Sequence, residues 1–430
     1  MIPTPGAAPA PARAGVSVSV VVVSHGRPQA LCRCLTGLAR QIHDPYEIIV
    51  VADTPGRAAL ARLPFAAGLH VTGFDEANIS RARNLGITAA AGDIVAFIDD
   101  DAVPEPAWLH HLAAAFSDSA VAAAGGYVRG RNGISFQSRA RSVDHCGRTA
   151  PIRLRGPHPV ALTPTRERAI KLEGTNMAFR RTVIAGLGGF DPRYRFFLDE
   201  TDLNLRMGRR GLVSAIVPLA QVHHGFAASR LRRADRVPRD LHEIGASWAV
   251  FLSAHAPDRL DAAWRRVQAG ERARAIRHLI AGGIEPADMR RLLASLEAGF
   301  AEGLTRRAQP LVSLPPPARD FSRFVPLSGP GDRFLAGPSW RLGALRAKAR
   351  ALAEGGTNVT LLSLSPSAFF HRMEWRDTHW EQRGGLFGKS DRSQPLLAFW
   401  RPSRRIEAER ERITAARSAA ELCLESAGPD

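Results

Sequence analysis

Gly92-Asp93-Ile94-Val95-Ala96-Phe97-Ile98-Asp99-Asp100-Asp101 is the stretch on which the fold turns. Its apolar run, Ile94 to Ile98, is long enough for a buried strand and ends abruptly in three carboxylates. Like charges repel, and their desolvation must be offset by something cationic. Two readings are open. One is a solvated turn leading into Pro104; the other is a divalent-metal and diphosphate site at the carboxyl end of a strand, where open α/β sheets bind their ligands. Alternate residues of an extended segment point the same way, so Asp99 and Asp101 form the metal-binding pair. Asp100 is the member least tied to a metal, and Asp99 and Asp100 are also counted with the nucleotide-binding residues.

Upstream, residues 16–23 alternate Val with Ser and then become all Val, as in a strand covered on both faces. Ser24-His25-Gly26-Arg27-Pro28 is a turn, and Pro28 suits the first turn of a helix reaching residue 41. Strands follow at 46–52, closed by the turn Asp53-Thr54-Pro55-Gly56, and at 69–73. Residues 78–91 read as a helix with Ser80 as N-cap. Strands alternating with helices of this length imply a mostly parallel sheet with helices on both faces.

Downstream, the pattern gives a helix at 106–117 and a strand at 120–128. Residues 129–170 are rich in Arg, Gly and Pro, a long excursion of the kind that forms a binding loop. Then come a strand-like piece at 172–179, a helix at 181–187, a helix at 200–210 with Gly211 as its C-cap, and a strand at 213–218. After 230 the character changes: helical stretches at 240–255, 259–281 and 286–307, then a Pro-rich linker or lid at 312–332. A helix at 340–354, strands at 358–364 and 396–400, and a charged closing helix at 404–424 complete the chain. Residues 371–387 carry aromatics without clean periodicity.

The 430 residues, 45% of them apolar, are enough for two or three domains. Fifty-eight Lys and Arg against 41 Asp and Glu give a net charge of +17. An excess of that size suits an anionic partner, and Arg-rich coding gives the same excess without function. The four cysteines, at 32, 34, 146 and 423, have neither disulfide nor zinc spacing, and free thiols suit a cytoplasmic location. Residues 1–15, Pro- and Ala-rich, read as a disordered tail that is neither signal peptide nor anchor. With no apolar run of transmembrane length, membrane contact would be peripheral, on the inner face of the cytoplasmic membrane.

The remaining candidate residues stand where strands end. Ser24, His25 and Arg27 follow the first strand, and Asp53 follows the second, placed either to meet a base or ribose or simply to close a turn. Arg81 and Asn84 share a helix face and could meet a phosphate or hold the aspartates. Asp199 and Glu200 open a helix whose positive end keeps carboxylates ionised, as a general base for an alcohol requires. A first-turn acid pair that merely caps the helix is the alternative. His223 or His224 could add a nitrogen ligand compatible with Mg²⁺ or Mn²⁺.

Together, in this order, these motifs resemble the family 2 glycosyltransferases over roughly residues 16–225. The resemblance implies a GT-A fold, a Rossmann-like mixed α/β sheet, here with a helical and α/β C-terminal extension. It divides the chain into the tail at 1–15, a catalytic domain at 16–230, a helical region at 231–310 and an extension of unknown function at 311–430. It implies that Asp53 contacts the base, that Gly174 lies in the segment preceding the catalytic one, and that Asp99 and Asp101 form the DxD pair, Asp101 the direct ligand. Asp199-Glu200-Thr201-Asp202-Leu203 with Arg206 is similar to the Glu-Asp-x-Asp-Leu…Arg motif with its first two acids exchanged. Glu200 then stands in the place of the catalytic base, with Asp199 as the alternative. The expected partners are a nucleotide-diphosphate sugar and a glycan or lipid-linked acceptor. The basic tracts at 230–239 and 341–350 suit a lipid diphosphate or an anionic membrane surface.

A nucleotidyltransferase also uses a nucleotide-binding α/β domain with paired Asp, but the turn at 24–28 lacks the multiple glycines of that class. Nucleic-acid or polyanion binding has only charge in its favour: zinc spacing, basic heptads and a helix-turn-helix are all missing, and no nucleic acid is expected. A non-catalytic scaffold is opposed by the presence of every chemical position.

Overall fold

The computed structural model describes residues 16–327, 331–418 and 425–426. The tail at 1–15 and the end of the expected closing helix, 419–424, lie outside the described residues. Strand β1 (Val18–Ser24) shows how the layers form. Val18, Val20 and Val22 enter one apolar cluster while Val21 enters another, so a period of two feeds two separate cores. Helix α1 (Pro28–Leu38) covers the first face with Leu31, Leu35 and Leu38. Strand β2 (Tyr46–Ala52) is buried throughout. The expected turn after it opens a short helix instead, α2 (Thr54–Leu60), because Asp53 caps it by accepting the Gly56 N–H.

Strand β3 (Leu69–Gly73) forms one edge, and α3 (Ile79–Ala89) returns across the second face. The cap of α3 is Asn78, which accepts the Arg81 N–H. Ser80, expected as the cap, is buried and donates to the Tyr194 carbonyl. Strand β4 (Ile94–Asp99) is the carboxylate-tipped run, followed by β5 (Ala102–Pro104), α4 (Trp108–Ala114) and β6 (Val121–Arg129). The excursion holds short strands: β7 (Phe136–Ser138), β8 (Arg141–Asp144), β9 (Thr149–Pro151), β10 (Val160–Leu162) and β11 (Arg168–Lys171). Then come β12 (Met177–Arg180), α5 (Arg181–Gly186), α6 (Asp199–Arg209) and β13 (Val213–His224), which runs six residues further than its expected end at Pro218.

The main sheet runs β10-β13-β6-β12-β4-β1-β2-β3. Strands β4, β1, β2 and β3 are parallel, whereas β12 inserts antiparallel between β4 and β6. The register sets Val23 beside Asp99 and Ser24 beside Ala52, so the ends of β1, β2 and β4 open on one crevice. This is the GT-A-like mixed α/β arrangement.

Helices α7 (His242–His255), α8 (Leu260–Ile280) and α9 (Pro286–Thr305) build a second core, in which Trp264 stacks on Phe300 at 3.8 Å and which includes Leu198 and Leu205 at α6. The Pro-rich segment after them is a strap rather than a lid. Phe324 is buried between Tyr46 and Phe65, and Arg319 pairs with Glu47 at 2.7 Å, at the end of the sheet away from the crevice. A C-terminal α/β unit follows: β14 (Asp332–Pro338), α10 (Leu342–Glu354), β15 (Asn358–Ser365), β16 (Arg372–Arg376), β17 (His379–Gly385) and α11 (Pro402–Arg417). Its sheet runs β14-β15-β17-β16. Residues 371–387 thus form a hairpin, turning at Asp377 with φ +57°. The strand expected at 396–400 is absent; the segment is irregular, with Leu396 and Phe399 70% and 88% exposed.

Candidate active site

The crevice gathers most of the expected residues, in roles that their positions alone did not assign. Asp99 and Asp101 offer carboxylate oxygens, and His224 a ring nitrogen, that all lie within 4.8 Å of one another. His224 Nε2 is 3.1 Å from Asp101 Oδ1. Two neighbouring ligands of one octahedral ion with bonds near 2.1 Å stand about 3 Å apart, so this spacing suits a hard divalent cation. Two oxygens and one imidazole suit Mg²⁺ and, with the nitrogen, Mn²⁺. His223 points elsewhere. It is buried, 2.7 Å from Glu105, because adjacent residues of β13 face opposite sides.

Burial works against the Asp101 carboxylate, but His224, Arg27 and the Ala227 N–H at 2.8 Å outweigh it and hold its pKa well below the ordinary range. Asp100 faces inward. It accepts the Ser24 hydroxyl at 2.6 Å and pairs with Arg27 at 2.5 Å, while burial still pushes its carboxyl up to about 7. Arg27, which also reaches Asp101 at 3.3 Å, therefore ties the β1 turn to the triplet. Asp53 accepts the Gly26 N–H at 2.6 Å, so it shapes the same turn while capping α2. His25 stands exposed at the rim, 3.2 Å from the Asp75 carbonyl.

The helix residue that reaches the carboxylates is Arg83, not Arg81 or Asn84. Arg81 pairs with Glu76 on the surface at 2.7 Å, and Asn84 exchanges hydrogen bonds with the Phe190 backbone. Arg83 is 3% exposed, lies over the rings of Phe97 and Phe190, and donates to Asp199, to Asp99 at 3.2 Å and to the Gly174 carbonyl at 3.0 Å. A single guanidinium thus joins the cation cluster to the acids of α6. The sequence did carry a signal: residues 80, 83 and 87 share the buried face of α3.

The two acids of α6 differ. Asp199 is sealed against Arg83, and its burial pushes its pKa up. Glu200, 15% exposed, receives a bond from Lys171 at 2.6 Å and one from Thr201 at 2.9 Å. Burial would raise Glu200 as well, but the Lys171 ammonium outweighs it and the net shift is downward. Lys171, on β11 in the excursion, was not singled out from the sequence. Phe197 and Leu198, both at positive φ, turn the chain into this helix, a strained backbone of the kind that collects at functional sites. Asp202 and Arg206 lie behind the crevice. Asp202 pairs with His255 at 2.8 Å and Arg206 at 2.7 Å, and Arg206 donates to the Leu187 and Gly189 carbonyls, which fastens α6 to α7 and to the preceding turn.

At the outer edge, the Phe226 ring packs tilted against His224 with centroids 4.1 Å apart, and the Arg232 and Arg236 guanidiniums lie 5.4 and 4.2 Å from the Phe226 ring centroid. The basic tract at 230–239 therefore borders the cation cluster. The tract at 341–350 is partly consumed, since Arg346 forms a two-bond pair with Glu381.

Comparison with known proteins finds similarity over part of the chain. A relative named "Uncharacterized glycosyltransferase YwdF" from Bacillus subtilis (strain 168) is 34% identical over 98 residues, 22% of this chain and 35% of its own. "Pre-mycofactocin glycosyltransferase" from Mycobacterium tuberculosis is 30% identical over 184 residues, 41% of this chain and 35% of its own. The chain thus spans about a third of the length of these curated relatives. Among solved structures, that of GalNAc-T7 with UDP, GalNAc and Mn²⁺ aligns with 56% of this chain and 48% of its own, at a TM-score of 0.44 and 16% identity. Residues 19–188 match Glycosyl transferase family 2, a span that holds β1, the Asp99–Asp101 tip and Arg83 and stops short of α6. Over those residues the chain is a family 2 glycosyltransferase domain.

Proposed function

We propose that the protein transfers a sugar, with inversion, from a nucleotide-diphosphate sugar to a hydroxyl of a glycan or lipid-linked acceptor. The observation that carries this reading is the contact of Arg83 with both Asp99 and Asp199. That contact supports the reading because it ties the strand tip we assign to the leaving group to the first residue of α6, next to Glu200. In the reaction a bond forms between the acceptor oxygen and the anomeric carbon, the bond from that carbon to the diphosphate breaks, and the acceptor proton passes to a carboxylate. Glu200 is the better placed of the two acids: it is accessible and held ionised by Lys171, whereas Asp199 is sealed. Asp99, Asp101 and His224 would hold Mg²⁺ or Mn²⁺. Such an ion supplies positive charge to the departing diphosphate. Arg27, at the head of α1, keeps the triplet in place.

The test screens nucleotide sugars for binding and slow hydrolysis with and without Mg²⁺ or Mn²⁺, then assays Glu200→Gln with the donor found. Transfer is expected to fall by about 10²–10⁴-fold while nucleotide binding persists. Full turnover by that variant would show that the base lies elsewhere.

A further inference from the structure

The C-terminal α/β unit carries a cluster of exposed apolar side chains on loops that are held rigidly from beneath. Phe369 and Phe370 are 74% and 59% exposed, and Leu396, Leu397 and Phe399 are 70%, 49% and 88% exposed. Both loops pack along residues 385–389, which sets the two groups on neighbouring segments of one unit. The Gly385 N–H donates to the Phe369 carbonyl at 2.9 Å, the Ala398 N–H to the Phe387 carbonyl at 3.2 Å, and the Phe387 and Phe399 rings stand 5.9 Å apart. Chains rarely expose contiguous apolar surface that nothing covers.

Beneath the patch lies a buried polar network. Arg405, 1% exposed, donates to the Gly388 carbonyl at 2.7 Å and pairs with Glu409 at 3.3 Å. Ser390 donates to the same carboxylate, and His371 binds the Gly385 carbonyl at 3.0 Å. The exposed side chains are therefore presented, not frayed.

Cations accompany them in the chain. Residues 386–404 contain Lys389, Arg392, Arg401 and Arg404 against the single acid Asp391. Arg392, Arg401 and Arg404 are exposed, and Lys389 sits over the Phe370 ring at 5.9 Å. Exposed aromatic and leucine side chains with exposed cations in the same segments match the interface of an anionic bilayer, where the apolar groups enter the acyl boundary and the cations meet the headgroups.

We infer that this surface, Phe369-Phe370 with Leu396-Leu397 and Phe399, docks the protein on an anionic lipid bilayer. Its place in the fold gives the docking a use. The Met373 N–H donates to the Asn132 carbonyl at 2.8 Å, and Arg131 of the same loop donates to Ala234 in the basic tract. A few residues on, Gln137 is 3.0 Å from His224. The unit that carries the patch and the cation cluster are thus linked through one loop, 129–138. That acceptors are lipid-borne rests on the proposed glycosyl transfer; the membrane contact itself does not.

The test sediments the full chain with vesicles of phosphatidylcholine alone and of phosphatidylcholine mixed with phosphatidylglycerol, at low and high salt. Binding is expected only to the anionic vesicles and is expected to weaken with salt. The triple variant Leu396→Ser, Leu397→Ser, Phe399→Ser should lose it without a change in melting temperature. Arg401→Gln with Arg404→Gln should weaken it by about tenfold or more. Failure of the unaltered chain to bind anionic vesicles at low salt overturns the inference, as does undiminished binding by the triple variant. A lipid-free self-association that the triple variant abolishes would assign the patch to a second copy of the chain instead. Nucleotide-sugar hydrolysis by the triple variant should match that of the unaltered chain, which separates this outcome from failure of the transferase reading.

Discussion

Lys171 governs how strong a base Glu200 can be. An ammonium 2.6 Å from the carboxylate stabilises its ionised form, so removing that charge must raise the carboxyl's pKa. Lys171→Met is therefore expected to move the acidic limb of the kcat/KM profile to higher pH. A limb that stays in place would mean that Glu200 is not the titrating base. At the other end of the crevice, Asp99→Ala combined with Asp101→Ala should abolish the dependence of nucleotide binding on Mg²⁺ or Mn²⁺. Calorimetry showing the same metal-dependent affinity as the unaltered chain would remove the cluster from the reading. These acids were legible in the sequence because they interrupt apolar runs, and an interruption of that kind needs a reason. Lys171 was not, and for Arg83 the sequence carried only its helix face, not its partners. Arg83 meets Asp199 across 116 residues and Lys171 meets Glu200 across 29, and a cation's partner so distant is set by strand order rather than by spacing. For the same reason the sequence left His223 and His224 equal, and only the pleat of β13 separates them.

Helix α11 reaches the main sheet through a buried ion pair as well as through Ile413. Arg417 donates to Glu105 at 2.6 Å, His223 stands 2.7 Å from the other oxygen, and Trp380 lies 4.3 Å from the His223 ring. Removing one partner of such a buried pair costs about 3–5 kcal/mol, so Arg417→Met should lower stability by that order. Chemical denaturation measures it, and Glu105→Gln in the same chain should restore part of the loss. Burial alone would raise the Glu105 pKa, but Arg417 and His223 hold it well below the ordinary range. A depressed folded-state pKa stabilises the fold above the unfolded value and loses that stabilisation as pH falls through the acidic range. The Arg417→Met chain should accordingly show a smaller loss of stability on acidification below about pH 4 than the unaltered chain. Elements with a strong local period were readable: β2 and β3 fall where expected, and α7, α8 and α9 fall within a few residues of it. The segment 396–400 misled because five apolar residues look alike whether they enter a core or face outward. Residues 371–387 hid a hairpin because only the five residues of β16 alternate, with Met373 and Trp375 turned inward, whereas β17 is buried at four successive residues, His379 to Gln382.

The whole molecule is more closely joined than its composition suggests. The shift to Pro-rich sequence near 312 reads as a boundary, yet contacts cross it repeatedly. The Leu314 N–H donates to the Ala185 carbonyl and the Leu327 N–H to the Ala39 carbonyl, and Arg40 donates to the Ala353 carbonyl at 2.9 Å. Val103 and Ile134 of the catalytic part share a core with Met373, Trp380 and Ile413. No helix among the described residues is long and apolar enough to cross a membrane. A chain ending at residue 330 would lose Arg417 from Glu105, Trp380 from His223, and the cover over Val103 and Ile134. The loss of Trp380 falls on His223, next to His224; that of Arg417 falls on Glu105, which holds the same His223; and Ile134 is on the loop that carries Gln137. Such a truncation is therefore expected to melt at a lower temperature, to expose apolar surface to a reporter dye, and to bind Mn²⁺ with nucleotide more weakly than the full chain. A truncated chain matching the full one in melting and nucleotide binding would show that the C-terminal unit serves only the surface it presents.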